Sequence, residues 1–422
     1  MLDIKLFRED PERIKIGARK KRIPRDEEIT RIVEIDKEIR SILPELEGLR
    51  AEQKKAGKAL GKASPQEREK FIAEQKRIKE RIKDLEEKEK NLRDELSKLM
   101  LLIPNPPDPD VPDGETEEDN VEIRKWGEIP SFDFKPKDHV ELAEIHGLAD
   151  FKRAGKIAGS RNYFLCGKAV LLEEAILRFA LDHMIKKGFK PLNVPVLVRD
   201  EAMYGTGYYP GGEEQAYRIE KDSLSLIGTA EVPLTAYHSG EILSYEDLPI
   251  RLVARSYCFR REAGTYGKDT RGLYRVHQFQ KVEQVIVDVA DEEKSKKHQE
   301  EILKNAEEIV QALGLPYRVV DVCTGELGMG QIRKYDIETW MPSRGAYSET
   351  HSASRFHEFQ ARRLNLRYRD ENGKVKYCHT LNNTVIATPR ILIPLLEIYQ
   401  KSDGSIKIPE CLYPYLPFKE IK

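Results

Sequence analysis

The chain has 422 residues, 39% apolar and 34% charged, enough for two or three domains with one substantial core. No run of about 18 apolar residues occurs, which excludes a membrane-spanning helix. Lys plus Arg (72) nearly balance Asp plus Glu (73), so total charge names no nucleic-acid partner and any such partner must be recognised locally.

The opening Met1–Asp10 carries charges where a secretory signal needs an apolar centre, and the five cysteines form no Cys-x-x-Cys pair. A cytoplasmic protein with reduced, metal-free thiols is expected. Ile32, Ile35, Ile39, Ile42, Leu46 and Leu49 are spaced alternately three and four apart, the seam of a coiled-coil helix. Phe71, Ile78, Leu85, Leu92 and Leu99 recur every seven residues, with Ile82 and Leu96 between them. Gly61-Lys-Ala-Ser-Pro-Gln66 separates the runs as a turn, with a helix start at Ser64-Pro65. The predicted product is an antiparallel helical hairpin over about 27–99, each arm roughly 50 Å long at 1.5 Å per residue. Pro44 is expected to kink the first arm, and Gln75 and Glu89 interrupt the second seam. From Lys54 to Arg81 there are ten Lys or Arg and four acidic residues. The ordinary reading is a solvated coiled-coil face; the other is a basic distal half that grips a phosphate backbone. On that second reading Lys54, Lys55, Lys58, Lys62, Arg68, Lys76 and Arg77 are the candidate contacts.

Ile103-Pro-Asn-Pro-Pro-Asp-Pro-Asp-Val-Pro-Asp-Gly114 cannot be helical and reads as a linker. Beyond it, Leu252–Arg260 and Arg275–Val289 read as strands flanking a polar, Gly-rich loop, Ala263–Tyr274. Ile391–Gln400 reads as a helix with Thr388 as its cap and Pro389 as its first residue, and Pro394 disturbs its regularity. There is no Walker loop and no dinucleotide fingerprint; Gly325-Glu-Leu-Gly328-Met-Gly330 lacks the final Lys-Ser/Thr and the strand-to-helix setting of a phosphate cradle. His277, His351 and His379 read as packing or hydrogen-bonding residues, and no zinc is expected. Charged residues recur at period two on the paired strands: Arg260 and Glu262 share one face, as do Phe279, Lys281 and Glu283 on the next. Alone, such a pattern also fits salt-bridged residues on a solvated sheet.

The surrounding motifs add a resemblance. Phe259-Arg-Arg-Glu-Ala-Gly264 and Asp269-Thr-Arg-Gly-Leu-Tyr-Arg-Val-His-Gln-Phe-Gln-Lys-Val-Glu283 resemble the second signature of class II aminoacyl-tRNA synthetases in its seryl-specific form. Gly228-Thr-Ala-Glu231, Tyr335-Asp-Ile-Glu-Thr-Trp-Met-Pro342, Glu358-Phe-Gln-Ala-Arg-Arg363 and His379-Thr-Leu-Asn-Asn-Thr384, leading to Arg390, follow in the family's order. Arg8-Glu-Asp-Pro11 and Ile103-Pro-Asn105 are similar as well, so the resemblance spans nearly the whole chain.

That resemblance implies an α+β protein: an N-terminal tRNA-binding domain (1–102) with the helical hairpin, a Pro-rich linker (103–120), and a class II catalytic domain (121–422) on an antiparallel sheet flanked by helices. It implies that Arg260 contacts the α-phosphate of ATP and Arg390 the γ-phosphate, that Phe279 stacks on adenine, and that Glu262 meets the adenine amino group. The span from Phe279 to Glu283, roughly 13 Å at about 3.3 Å per residue, suits an aminoacyl-adenylate. By the same resemblance Glu349 and Ser352 are Mg²⁺ ligands, a chemistry of hard oxygen donors. Thr229, Glu231, Arg260, Glu283, Asn382 and Thr384 form the serine pocket. Phe189–Val198 is similar to the first class II signature, which puts Pro195 at a homodimer interface with tRNA bound across subunits. The expected partners are serine and tRNA(Ser), with tRNA(Sec) left open, and no membrane. Glu349 is followed by Thr-His-Ser-Ala-Ser-Arg355, which departs from the family's usual pattern at His351 and Arg355. The competing readings are an aminoacyl-carrier-protein ligase and a catalytically inactive, synthetase-like RNA-binding protein. The first has no use for a basic hairpin, and the second is expected to have lost Arg260, Glu283, Glu349 or Arg390.

Overall fold

A computed structural model describes residues 1–60, 64–264, 267 and 271–422, with side chains at all of these except 59, 60 and 65–67. Two compact units divide at Pro106/Pro107. Among the described residues no helix is long and apolar enough to cross a membrane.

The first unit, Met1–Pro106, is helical: α1 (Ile4–Glu9), α2 (Pro11–Lys20), α3 (Asp26–Leu60) and α4 (Pro65–Leu102). Asp3 and Asp10 cap α1 and α2 by accepting from the Lys5 and Arg13 amides at 2.8 and 3.0 Å, and Pro11 fills the first position of α2, where no amide hydrogen is needed. Ile35, Ile39, Ile42 and Leu46 of α3 pack against Ile78, Ile82, Leu85 and Leu92 of α4 in one buried seam. Ion pairs Arg31–Glu95, Arg81–Glu45 and Arg50–Glu86, at 2.7–2.8 Å, join the two arms in antiparallel register; being exposed and screened by solvent, they add little to stability. Helix α3 runs unbroken through Pro44, so the proline does not end the arm. Gln75, a polar break in the α4 seam, donates to the Gln53 carbonyl at 2.9 Å and ties the arms together. Lys54, Lys55, Lys58, Arg68, Lys76 and Arg77 are exposed on the distal half, and among the described residues none forms an ion pair. Lys62 lies outside the described residues, as does Asp269-Thr270 of the second signature.

The second unit, Pro107–Lys422, is built on an eight-stranded sheet. Its strands are β1 (Val121–Trp126), β2 (Lys190–Leu192), β3 (Ile250–Phe259), β4 (Gln278–Asp288), β5 (Tyr317–Asp321), β6 (Arg333–Met341), β7 (Ala346–His357) and β8 (His379–Thr388). The order is β1-β5-β6-β7-β8-β4-β3-β2, antiparallel except for the short parallel pair β2–β3. Alternation divides β4 between two environments. Val282 and Ile286 face a core formed with Leu172, Ile176 and Leu177 of α5 (Lys168–Lys186) and Ile302, Ala306 and Ile309 of α6 (Glu292–Ala312). The odd-numbered face carries Phe279, Lys281 and Glu283, then Val285 and Val287, which join a second core with Leu252 and Ala254 of β3. The apolar half anchors the strand; the polar half is left for a site.

The expected bounds of three elements move. Strand β3 stops at Phe259, so Arg260 lies one residue past it and Glu262 is on no strand. Glu262 has φ of 53°, the left-handed region, because Gln215 clamps this turn: its side chain accepts from the Ala263 amide (3.2 Å) and donates to the Ala263 carbonyl (2.9 Å). Strand β4 begins at Gln278 rather than Arg275 and ends at Asp288 rather than Val289. The helix near Arg390, α7 (Leu392–Ile398), starts three residues after Pro389. Thr388 ends β8 instead of capping this helix; its hydroxyl donates to buried Glu173 at 2.6 Å, and the Thr388–Pro389 peptide is cis.

Candidate active site

Strands β4, β7 and β8 and the segment before β4 border a cleft open to solvent, lined among others by Arg260, Glu262, Phe279, Lys281, Glu349, Thr384 and Arg390. Residues up to 130 positions apart thus meet in one hollow. Arg260, although past the strand, keeps the pairing: its amide donates to the His277 carbonyl at 2.9 Å and His277 Nδ1 meets the Arg260 carbonyl at 3.0 Å. The guanidinium lies 5.2 Å from the Phe279 ring centre, and Nε donates to the Gly228 carbonyl at 3.3 Å. At the other end Arg390 lies over Tyr274 (4.3 Å to the ring centre), donates from Nε to the Tyr274 carbonyl (3.2 Å) and reaches the Glu349 carbonyl (3.1 Å). Arg344 lies 3.8 Å from the same ring centre. Arg260 and Arg390 are each oriented by a backbone carbonyl and an aromatic ring, and Arg390 also stands 3.7 Å from the Glu349 carboxylate.

Two β-bulges gather residues whose spacing forbids a shared face on a regular strand. On β7, Glu349 pairs with Glu338 and His351 with Ile337, so Thr350 is the extra residue and Glu349 and Ser352 fall on the same side. On β8, Thr384 pairs with Glu283 and Ile386 with Val282, so Val385 is extra; Thr384 and Ala387 both line the cleft. Glu349 is about half exposed at the mouth. Partial withdrawal from water pushes its carboxyl upward, but Arg390, Lys334 and Arg260 outweigh this and hold it below the usual carboxylate range. Ser352 hydrogen-bonds Asp336, whose carboxyl is raised chiefly by burial and also by Glu349, against the pull of Lys334 at 3.3 Å. Glu349 and Ser352 offer hard oxygens on one face beside solvent, which fits a divalent cation such as Mg²⁺.

The polar end is deeper. Glu231 is buried, and its carboxylate accepts from the Tyr208 hydroxyl and the Gln360 amide, both at 2.8 Å. Burial, and then nearby Glu283, push it up to about 7 in spite of these donors and Lys281. Thr229 accepts from the Lys281 ammonium at 2.7 Å, and the Thr384 hydroxyl lies 3.5 Å from Glu283. Asn382 shares the Thr384 face of β8 through its pairing with Val285; it is buried, and among the described residues its amide nitrogen has no partner.

The two departures from the family pattern do different things. His351 is buried beside Thr350, whose hydroxyl meets Nδ1 at 2.8 Å, and burial pushes it down to about 3, so its ring is neutral. Arg355 does not line the cleft: it is buried and ion-paired with Asp108 and with Glu292, at 2.6 Å to the latter. Asp108, Glu292 and His357 stand close enough to suggest a metal site, but the Arg355 guanidinium already supplies the cation there. His277 and His379 serve as hydrogen-bonding groups, His379 Nδ1 meeting Ser295 Oγ at 2.7 Å. Sequence reasoning passed over Tyr208, Tyr274, Gln360 and the central part of Lys281. Gln360 stands inside a quoted motif and Lys281 on a quoted strand, whereas nothing local marks Tyr208.

The sheet and the cleft it carries are those of a class II tRNA synthetase: residues 216–399 match the tRNA synthetase class II core domain (G, H, P, S and T). Residues 1–107 match the seryl-tRNA synthetase N-terminal domain. The chain is 47% identical over 421 residues to the serine–tRNA ligase of Deinococcus radiodurans, covering 100% of this chain and 99% of that one, and 48% identical over 427 residues to that of Thermotoga neapolitana, covering 100% of both. The crystal structure of seryl-tRNA synthetase from Pyrococcus horikoshii complexed with ATP superposes with a TM-score of 0.95 at 43% identity, covering 100% of this chain and 99% of that one. The chain belongs to the serine–tRNA ligase family.

Proposed function

We propose that this enzyme joins serine to tRNA in two steps within the cleft. A serine carboxylate oxygen attacks the α-phosphorus of ATP in line, the bond to the β-phosphate breaks, and pyrophosphate leaves. The 3′-hydroxyl of the terminal tRNA adenosine then attacks the seryl carbonyl and AMP leaves. The observation that carries this reading is the convergence of Arg260 and Arg390 on one cleft with Phe279, Glu262 and Lys281, whose ammonium is ion-paired with buried Glu283. Arg260 stands between the aromatic wall and the pocket, suited to the α-phosphate and the serine carboxylate, and Arg390 suits the γ-phosphate. Phe279 and Glu262 take the adenine. Glu231 and Thr229 take the serine ammonium, and Glu283 and Thr384 its hydroxyl, with Asn382 supporting them. A pocket built this way rejects alanine, because its buried polar groups would be left unpaired, and threonine, for want of space. No side chain acts as nucleophile; positioning and fixed charge supply the catalysis.

Glu349 and Ser352 would hold Mg²⁺, which when bound supplies charge neutralisation for the phosphates. Residues 1–102 serve as the tRNA-binding domain, 103–120 as the linker and 121–422 as the catalytic domain. The exposed lysines and arginines of the distal hairpin contact the phosphate backbone of tRNA(Ser), and of tRNA(Sec) where one exists. Pro195 borders an apolar groove with Leu197, Pro233 and Tyr237, which supports a homodimer with tRNA shared between subunits. The composition suits the cytoplasm. Amino-acid-dependent ATP–pyrophosphate exchange across all twenty amino acids, with tRNA charging alongside, tests the whole. Serine alone should support exchange, and exchange with another amino acid but not serine refutes the assignment.

A further inference from the structure

Lys281 stands between Phe279 and Glu283 on the cleft face of β4, with only 6% of its side chain exposed. Its ammonium lies 2.7 Å from Thr229 Oγ1 and 3.4 Å from Thr384 Oγ1 and forms an ion pair with Glu283. Three groups assigned above to serine therefore converge on one buried cation. Two cations that line the cleft, Arg260 and Lys281, stand beside two buried carboxylates, Glu231 and Glu283, the latter two near enough to Lys281 to feel its charge. A serine zwitterion brings one ammonium, which answers Glu231, and one carboxylate, which answers Arg260. Lys281 and Glu283 remain, paired with each other beside Thr384, where the serine pocket proposed above puts the substrate hydroxyl. A neutral hydroxyl can donate to a spare lone pair of the paired carboxylate, whereas a second ammonium would meet Lys281 at close range.

We propose that Lys281 is a specificity-determining residue: by occupying the cationic place against Glu283, it makes the pocket accept a β-hydroxyl and reject a β-ammonium of the same size. This rests on the serine pocket proposed above. The probe is L-2,3-diaminopropionate, which differs from serine by an amine in place of the hydroxyl. Exchange rates, and inhibition of serine-dependent exchange by the probe, give its preference relative to serine. Lys281→Met should lower kcat/KM for serine roughly 10²-fold, the scale on which truncating one partner of a buried charge pair weakens binding. It should also shift preference at least about tenfold toward the diamine, whose second ammonium restores the lost counter-charge. Glu283→Gln leaves Lys281 unpaired and should shift preference at least about tenfold the other way. ATP binding, measured in each variant, reports an intact cleft. If Lys281→Met fails to fold, the sign of the Glu283→Gln shift decides. An unchanged preference in a folded variant overturns the proposal, as does a lower KM for serine in Lys281→Met, which would make Lys281 an occupant that serine displaces. Wild-type protein that does not activate serine at all would instead sink the pocket assignment itself.

Discussion

Glu231 links the chemistry of the pocket to a pH dependence whose sign can be worked out. Its carboxyl titrates near 7 in the folded chain against an ordinary value of 4.5. Between those values the folded state holds a proton that the unfolded state has released, so stability falls as pH rises through this window, and the full cost is present above about 7. The difference of about 2.5 units sets a ceiling of about 3 kcal/mol. Glu231→Gln, which keeps the shape, should therefore raise the melting temperature of the ligand-free protein at pH 8 while abolishing serine activation. In the serine pocket proposed above the substrate ammonium needs the ionised carboxylate, so kcat/KM for serine should drop about tenfold per pH unit below about 7. Tyr208→Phe removes a hydroxyl that donates to this carboxylate at 2.8 Å. Loss of a hydrogen bond to a charged group, taken at about 1.4 kcal/mol, moves the inflection up by about one unit. Serine-limited ATP–pyrophosphate exchange, followed from about pH 5.5 to about pH 9 with ATP saturating, reads it directly. An inflection in Tyr208→Phe at or below that of the wild type, or a Glu231→Gln protein less stable at pH 8, would refute the reasoning.

Arg260→Ala or Arg390→Ala should each lower serine-dependent exchange by at least about 10²-fold, since on the proposed assignment each removes a fixed cation from the phosphate site; near-normal exchange in either would remove it from that site. Replacing Lys54, Lys55, Lys58, Arg68, Lys76 and Arg77 together by Gln should leave exchange within about twofold, weaken tRNA charging strongly and flatten its steep salt dependence. Unchanged charging would end the case for a tRNA grip on the distal hairpin. Arg355→Met leaves Asp108 largely buried without its guanidinium, at a cost of about 3 kcal/mol. Calorimetry should show the lower melting temperature, while exchange at 25 °C stays near wild type because Arg355 does not line the cleft.

What could be read from the sequence was whatever is written locally. The seam of α3 and α4 is legible because a heptad repeat is a one-dimensional signal, and Ile35, Ile39, Ile42, Ile78, Leu85 and Leu92 are all buried in it. The cleft residues are legible because each sits in a contiguous motif, and the period-two rule correctly groups Phe279, Lys281 and Glu283 on β4. The same rule fails at Glu262, where a side-chain clamp from Gln215 turns the backbone, and it would have separated Glu349 from Ser352 and Thr384 from Ala387. Those pairs meet only because Thr350 and Val385 are bulged, and a bulge is a property of two strands in register rather than of either one. Long-range partners are hidden for the same reason. Arg355 looks like a disturbance of the segment after Glu349 until its partner proves to be Asp108, 247 residues earlier, and Glu231 looks like a free carboxylate until Gln360, 129 residues on, is seen to hold it. Lys281 is the instructive case, because its position was legible and its part was not. A lysine next to a carboxylate on a strand reads as a surface ion pair; burial between two threonines turns it into a fixed charge that decides what the neighbouring carboxylate can accept. The motif therefore specifies the kinds of group in the pocket, but their electrostatic sum, and with it the selectivity, exists only once β4 is paired with β8.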